Sequence, residues 1–143
     1  MPCPYSINFM DKIRILIADD EIDILEIMAK KISREGFDVI TAPDGLVAWE
    51  KVKSEAPDVL VLDLTMPNMN GWEVLERLRA NPPHQKWIPV IIVSALGEVK
   101  DMQRGMTLQA DHYLVKPCLL GDILKGIRLM LALLPQRKAE SET

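Results

Sequence analysis

Cysteine is almost missing from this 143-residue chain: Cys3 and Cys118 are the only two, far apart and without metal-ligand spacing. That argues against a disulfide framework or a zinc site. Long apolar runs are missing too. None approaches the roughly 20 residues that span a bilayer, and the opening stretch, broken by Pro2, Pro4 and Asn8, lacks a signal peptide's apolar core. The expectation is a cytoplasmic protein with no membrane partner. Basic charge is in short supply: 17 Lys and Arg against 21 Asp and Glu leave a formal charge of −4, with no basic stripe, which argues against direct nucleic-acid binding. There is no repeat, low-complexity tract or second-domain boundary.

What is present suits one soluble domain. Apolar residues make up 48% and charged residues 27% of a chain long enough to bury a core without staples. Residues 1–11 show no period and read as a flexible lead. Residues 12–134 form the domain and 135–143 a short mixed-charge tail. Ile13–Ala18 is a first apolar strand, followed by a helix on Ile22, Leu25, Ala29 and Ile32 that Gly36 stops. Phe37–Ala42 is a second strand, Pro43-Asp44-Gly45 a turn, and Leu46, Ala48, Trp49 and Val52 a second helix ending before Pro57.

Val59–Leu62 is the central strand, and Asp63 stands at its carboxyl end before Pro67 blocks regular continuation. A third helix on Trp72, Val74, Leu75 and Leu78 ends at Asn81-Pro82-Pro83. Ile88–Val93 is a fourth strand leading to Ser94-Ala95. Gly97–Leu108 is a weaker helix interrupted by Gly105, and Asp111–Val115 a fifth strand ending at Lys116-Pro117. Leu120, Ile123, Leu124, Ile127, Met130, Leu131 and Leu134 stripe a last helix closed by Pro135. Strands apolar on both faces, alternating with helices, predict an α/β fold with a parallel five-stranded sheet covered on both sides.

In such a sheet the carboxyl ends of the strands share one edge, where ligands bind. That edge gathers Asp19 and Asp20, Asp63, Ser94 and Lys116. Three crowded carboxylates repel in a partly dry site, so their pKa values rise or a hard cation and Lys116 compensate them. Oxygen-only ligands that leave room for water fit Mg²⁺.

Asp19-Asp20 after the first strand, Asp63 with Met66-Pro67 after the third, Ser94-Ala95 after the fourth, and Tyr113 with Lys116-Pro117 around the fifth resemble the receiver domain of two-component response regulators. The resemblance runs from about Lys12 to Leu134. It implies a flavodoxin-like (βα)5 fold with strand order 2-1-3-4-5, an order taken from the family and not from the spacing. It implies that Asp63 is the phosphoacceptor, taking a phosphoryl group from a sensor histidine kinase or histidine phosphotransfer protein. Asp20, Asp63 and the backbone carbonyl of Thr65 would hold Mg²⁺ directly, with Mn²⁺ as an alternative ion, and Asp19 through water. Lys116 would pair with the acceptor and then with the phosphoryl group, Ser94 would hydrogen-bond it, and Tyr113 would turn inward as the switch. The output implied is a downstream protein target or a phosphorylation-linked homodimer, met through the face of the fourth helix, fifth strand and fifth helix.

Each residue also has a plain reading. Asp19 or Asp20 can cap the first helix, Ser94 can be a turn hydroxyl, and Lys116 a surface lysine. His84 and His112 read as exposed, without metal spacing, and the tryptophans Trp49, Trp72 and Trp87 as core or cover. Two features depart from the family: Gln109 replaces the usual glycine before Ala-Asp, which predicts a different end to the fourth helix, and Cys118 follows Lys-Pro where phenylalanine is common. Leu129 and Leu133 lie off the core stripe among Asp122, Lys125 and Gly126, as candidates for an interface. An aspartate-nucleophile phosphatase is disfavoured because its second acid would fall at Thr65. A fixed interaction module and a receiver cut from a longer regulator complete the alternatives.

Overall fold

The computed structural model describes residues 12–142, with side chains described for 12–133. The lead assigned to residues 1–11 and the core place assigned to the Leu134 side chain lie outside these ranges. The elements are β1 (Arg14–Ala18), α1 (Ile22–Arg34), β2 (Asp38–Ala42), α2 (Gly45–Glu55), β3 (Val59–Leu62), α3 (Gly71–Ala80), a short 3-10 turn (Pro83–Gln85), β4 (Val90–Ser94), α4 (Val99–Thr107), β5 (His112–Val115) and α5 (Leu120–Glu142). The five strands are parallel in the order β2-β1-β3-β4-β5.

Side chains alternate across the sheet as the period of two requires. Leu16 and Ala18, Leu60 and Leu62, and Val90 and Ile92 join one core with α2 and α3. Ile15 and Ile17, Val59 and Val61, and Ile91 and Val93 join the other with α1 and α5. The apolar runs were therefore continuous because both faces are covered. β4 starts at Val90 and not at Ile88, since Pro89 has no N–H to give the ladder.

Three helices differ from the sequence reading. In α1 the buried residues are Leu25, Met28 and Ile32, whereas Ile22 is 49% exposed; α2 likewise leaves Leu46 outside and buries Gly45, Ala48, Trp49 and Val52. Only one side of each helix meets the sheet, and Ile22 and Leu46 lie on the outward side. Third, α5 runs through Pro135 to Glu142. A proline removes one backbone bond and bends a helix, but Gln136, Arg137, Lys138, Ala139 and Glu140 are good helix formers and carry it on.

The end of α4 is also a correction. Gln109 takes φ +66°, the left-handed conformation glycine favours, while its N–H reaches the Met106 carbonyl and that of Ala110 the Gly105 carbonyl. The helix thus ends in the ordinary glycine-type manner, with the side chain tolerated in left-handed backbone. Gly105 does not interrupt α4. A Cβ there would lie 3.1 Å from Tyr113 Cδ2 and 3.3 Å from Ile92 Cδ1, so the glycine lets the helix lie close on the sheet.

The amino edge of the sheet is tied by a buried ion pair. Arg79 donates to the carbonyls of Gln109 (3.0 Å) and Ile88 (2.9 Å) and to Asp111 Oδ2 (2.9 Å), which also accepts from Val90 N–H (2.8 Å). Its guanidinium lies 3.8 Å from the centroid of the Trp87 ring.

Candidate functional site

Strand register brings the acids together. Ala18 pairs with Leu62, and one step beyond them the Asp63 N–H donates to the Ala18 carbonyl (3.0 Å) and the Asp19 N–H to the Ala42 carbonyl (3.1 Å). On the other side Ser94 pairs with Val115, and Lys116 N–H donates to the Ser94 carbonyl (2.8 Å). The ladder places Asp19, Asp63, Ser94 and Lys116 side by side. Asp19, Asp63 and Ser94 are buried, and Asp20 and Thr65 are exposed at the mouth.

One carboxylate oxygen from each of Asp19, Asp20 and Asp63 lies within 4.8 Å of the others. Lys116 Nζ donates to Asp19 Oδ2 at 2.8 Å and stands 3.5 Å from Asp63 Oδ2 and 3.6 Å from Glu21 Oε1. Burial pushes the Asp63 carboxyl above its ordinary value; Lys116 opposes the rise, Asp19 adds to it, and the Thr65 and Leu64 amides oppose it. For Lys116, burial acts downward, but the hydrogen bond to Asp19 and the charges of Asp63, Asp19 and Glu21 outweigh it and hold the ammonium above its usual value. An all-oxygen donor set with a lysine on one flank suits a small, hard divalent cation.

Neither aspartate of the Asp19-Asp20 pair is the cap residue of α1; that position is Glu21, whose N–H donates to Asp19 Oδ1 (2.9 Å). Asp19 therefore turns the chain into the helix from two residues upstream. Ser94 Oγ accepts from Leu96 N–H (3.1 Å), so here it does hold a turn. The half-buried Tyr113 hydroxyl donates to the Leu96 carbonyl. Burial first, and the charge of Asp101 second, raise its pKa against a hydrogen bond with Ser94. Tyr113, Leu96 and Ser94 thus connect the acid edge to α4, which is also held by Arg104, 4.3 Å over the Trp72 ring.

Reading the sequence missed the reach of Glu21 to Lys116, although Glu21 continues the Asp-Asp run. It also missed the support of the loop after Asp63. Asp44 caps α2 through Val47 N–H (2.8 Å) and accepts from Asn68 Nδ2 (2.9 Å). Trp49 and Trp72 are buried and Trp87 is partly exposed; His84 is exposed and His112 half-buried. Leu129 and Leu133 are exposed, with Leu129 beside a groove that includes His112, Asp122, Lys125 and Gly126. Among the described residues no helix is long and apolar enough to cross a membrane.

Comparison with known proteins agrees with this geometry. The chain is 40% identical over 124 residues to the probable transcriptional regulator ycf27 of Galdieria sulphuraria, covering 87% of this chain and 47% of that protein. It is 34% identical over 118 residues to the probable transcriptional regulatory protein SilR of Salmonella typhimurium, covering 82% and 50%. The chain thus spans about half the length of these curated relatives. Among solved structures, the receiver domain of the Francisella response regulator 1452 superposes with a TM-score of 0.76 at 30% identity, covering 82% of this chain and 94% of that one. A CheY-like receiver domain protein from Methanospirillum hungatei gives 0.79 at 26%, covering 87% and 97%. The family model for the response regulator receiver domain matches residues 15–128, and the chain belongs to that family.

Proposed function

We propose that this chain accepts a phosphoryl group on Asp63 from the phosphohistidine of a sensor kinase or phosphotransfer protein, and passes the signal on by protein contact. The observation that carries this is the meeting of Asp19, Asp20 and Asp63 within 4.8 Å, with Lys116 at 2.8 Å from Asp19 and 3.5 Å from Asp63. Asp63, ionised against Lys116, attacks phosphorus; the P–N bond of a phosphohistidine protonated on its other ring nitrogen breaks as the Asp63 O–P bond forms, and neutral imidazole leaves. Positioning and charge neutralisation supply most of the catalysis for such transfers. Mg²⁺, or Mn²⁺, would be held by Asp20, Asp63 and the Thr65 carbonyl, with Asp19 acting through water, and would neutralise phosphoryl oxygens. Lys116 then pairs with a phosphoryl oxygen, and Ser94 exchanges its turn contact with Leu96 for a hydrogen bond to the new group. Tyr113, bonded to the Leu96 carbonyl, follows that exchange and alters the face of α4, β5 and α5.

Acetyl phosphate with Mg²⁺, followed by intact-mass measurement, tests the reading. A receiver gains one labile phosphoryl group lost in Asp63→Asn. Continuous turnover would indicate a phosphatase, and no uptake a fixed interaction module. The relatives' length supports a companion reading, in which the domain 12–134 works as the receiver of a longer regulator; joined to an output domain, it would alter that domain's activity on phosphorylation.

A further inference from the structure

The loop between Asp63 and α3 carries Thr65, and its far side is fastened to the start of α2. Asp44 uses one carboxylate oxygen, Oδ1, to cap α2 and the other, Oδ2, to accept from Asn68 Nδ2 at 2.9 Å. Asn68 has φ +68°, a left-handed conformation that turns its side chain back toward Asp44. Next to this bond, a Cβ on Gly45 would fall 1.7 Å from the Met69 carbonyl oxygen, so α2 and the loop meet backbone to backbone at a position only glycine permits. On its near side the loop closes on itself: Gly71 N–H donates to the Leu64 carbonyl (2.9 Å), and a Cβ on Gly71 would lie 2.2 Å from the Asp63 carbonyl oxygen. Thr65 and Met66 lie between these two fixed points, and Thr65 N–H donates to Asp63 Oδ1 (3.3 Å).

Resting on the receiver reading above, we infer that Asp44 and Asn68 are positioning residues for cation binding: their hydrogen bond holds the Thr65 carbonyl and the Asp63 carboxylate in place for Mg²⁺. A cap alone does not need the second oxygen of Asp44, since serine caps helices about as well. The left-handed Asn68 likewise has a use beyond turning the chain, which glycine would do with less strain.

The test is Mg²⁺ titration by calorimetry on the full chain, beside urea unfolding. Asn68→Asp sets two carboxylates against each other and breaks the bond; Asp44→Ser keeps the cap but cannot reach Asn68. Each is expected to weaken Mg²⁺ binding about fivefold, the worth of one side-chain hydrogen bond. By charge alone the added carboxylate of Asn68→Asp would strengthen binding, so a fall reports position. Combining Asp44→Asn with Asn68→Asp reverses donor and acceptor and is expected to restore affinity to about wild type, which a merely structural defect would not do. Asn68→Gly, suited to the left-handed backbone, replaces Asn68→Asp if that variant does not fold, with the same expected fall. Wild-type affinity in the single variants, or a double variant no better than Asn68→Asp, overturns the inference. If the wild type takes up phosphoryl groups and Mg²⁺ while the variants match it, only the positioning role fails; if the wild type binds no Mg²⁺, the receiver reading fails with it.

Discussion

Replacing Arg79 by methionine removes a guanidinium that pairs with a buried carboxylate, that of Asp111. Arg79 and Asp111 have side chains 10% and 6% exposed. The substitution removes the 2.9 Å ion pair, two hydrogen bonds to the Gln109 and Ile88 carbonyls, and the stacking on Trp87. Breaking one side of a buried pair costs about 3–5 kcal/mol, because the partner charge stays in low dielectric. Against a total of about 5–15 kcal/mol for a domain, this loss lowers Tm by about 10–15 °C. Arg79→Lys keeps the charge but loses the fork and the flat stacking face, and an intermediate cost of about 2 kcal/mol follows. Urea unfolding followed by circular dichroism measures both. The clamp lies at the amino edge, so the folded fraction of Arg79→Met keeps wild-type Mg²⁺ affinity. A loss below about 1 kcal/mol, or equal losses in the two variants, would refute the reasoning.

Asp63→Asn is expected to abolish phosphoryl uptake while raising stability at neutral pH. The folded pKa of Asp63 lies above its unfolded value of about 3.9, so wild type loses stability as pH rises through the folded pKa; the advantage of the asparagine, read from urea midpoints, is absent at about pH 3 and present at pH 7. Phosphoryl loss is expected to be slow, since neither Thr65 nor the apolar Leu96 is an acid or amide that would orient an attacking water; Leu96→Glu or Thr65→Asn should shorten the lifetime, and unchanged decay in both would remove side-chain shielding as the cause. Leu129→Glu and Leu133→Glu are expected to reduce phosphorylation-linked self-association or partner binding, and sedimentation identical to wild type with unaltered partner binding would dismiss that face.

The sheet and its charged edge were legible because they are encoded locally. Each central strand is a run of apolar residues that ends on a chemically distinct side chain, and parallel strands bring Asp19, Asp63, Ser94 and Lys116 to one edge, while the order of neighbours came from the family resemblance. Helix faces were harder. α1 carries Ile22, Ile24 and Ile27 outside and Met28 inside, so isoleucines fit two helical frames and hydrophobicity does not choose between them. At Gln109 side-chain identity does not dictate backbone: the bonds from Gln109 and Ala110 to Met106 and Gly105 hold the left-handed conformation. The contacts between Arg79 and Asp111 and between Asp44 and Asn68 join residues 32 and 24 positions apart, and no periodicity reports on such pairs.

The pairing of Ala18 with Leu62 sets a hierarchy of mobility. The amides of Asp19 and Asp63 are held by the same ladder that unites β2, β1 and β3, so their hydrogen exchange is expected to be slow beside that of α4. α4 is fastened differently, by the buried Gly105 against Ile92 and Tyr113, the Arg104 stacking on Trp72 and an ion pair to Glu76 whose two side chains are half exposed, contacts made by side chains and not by the ladder. Asp19 and Asp63 thus rest on the backbone of the central strands, whereas α4 rests on side-chain contacts beside β4 and β5.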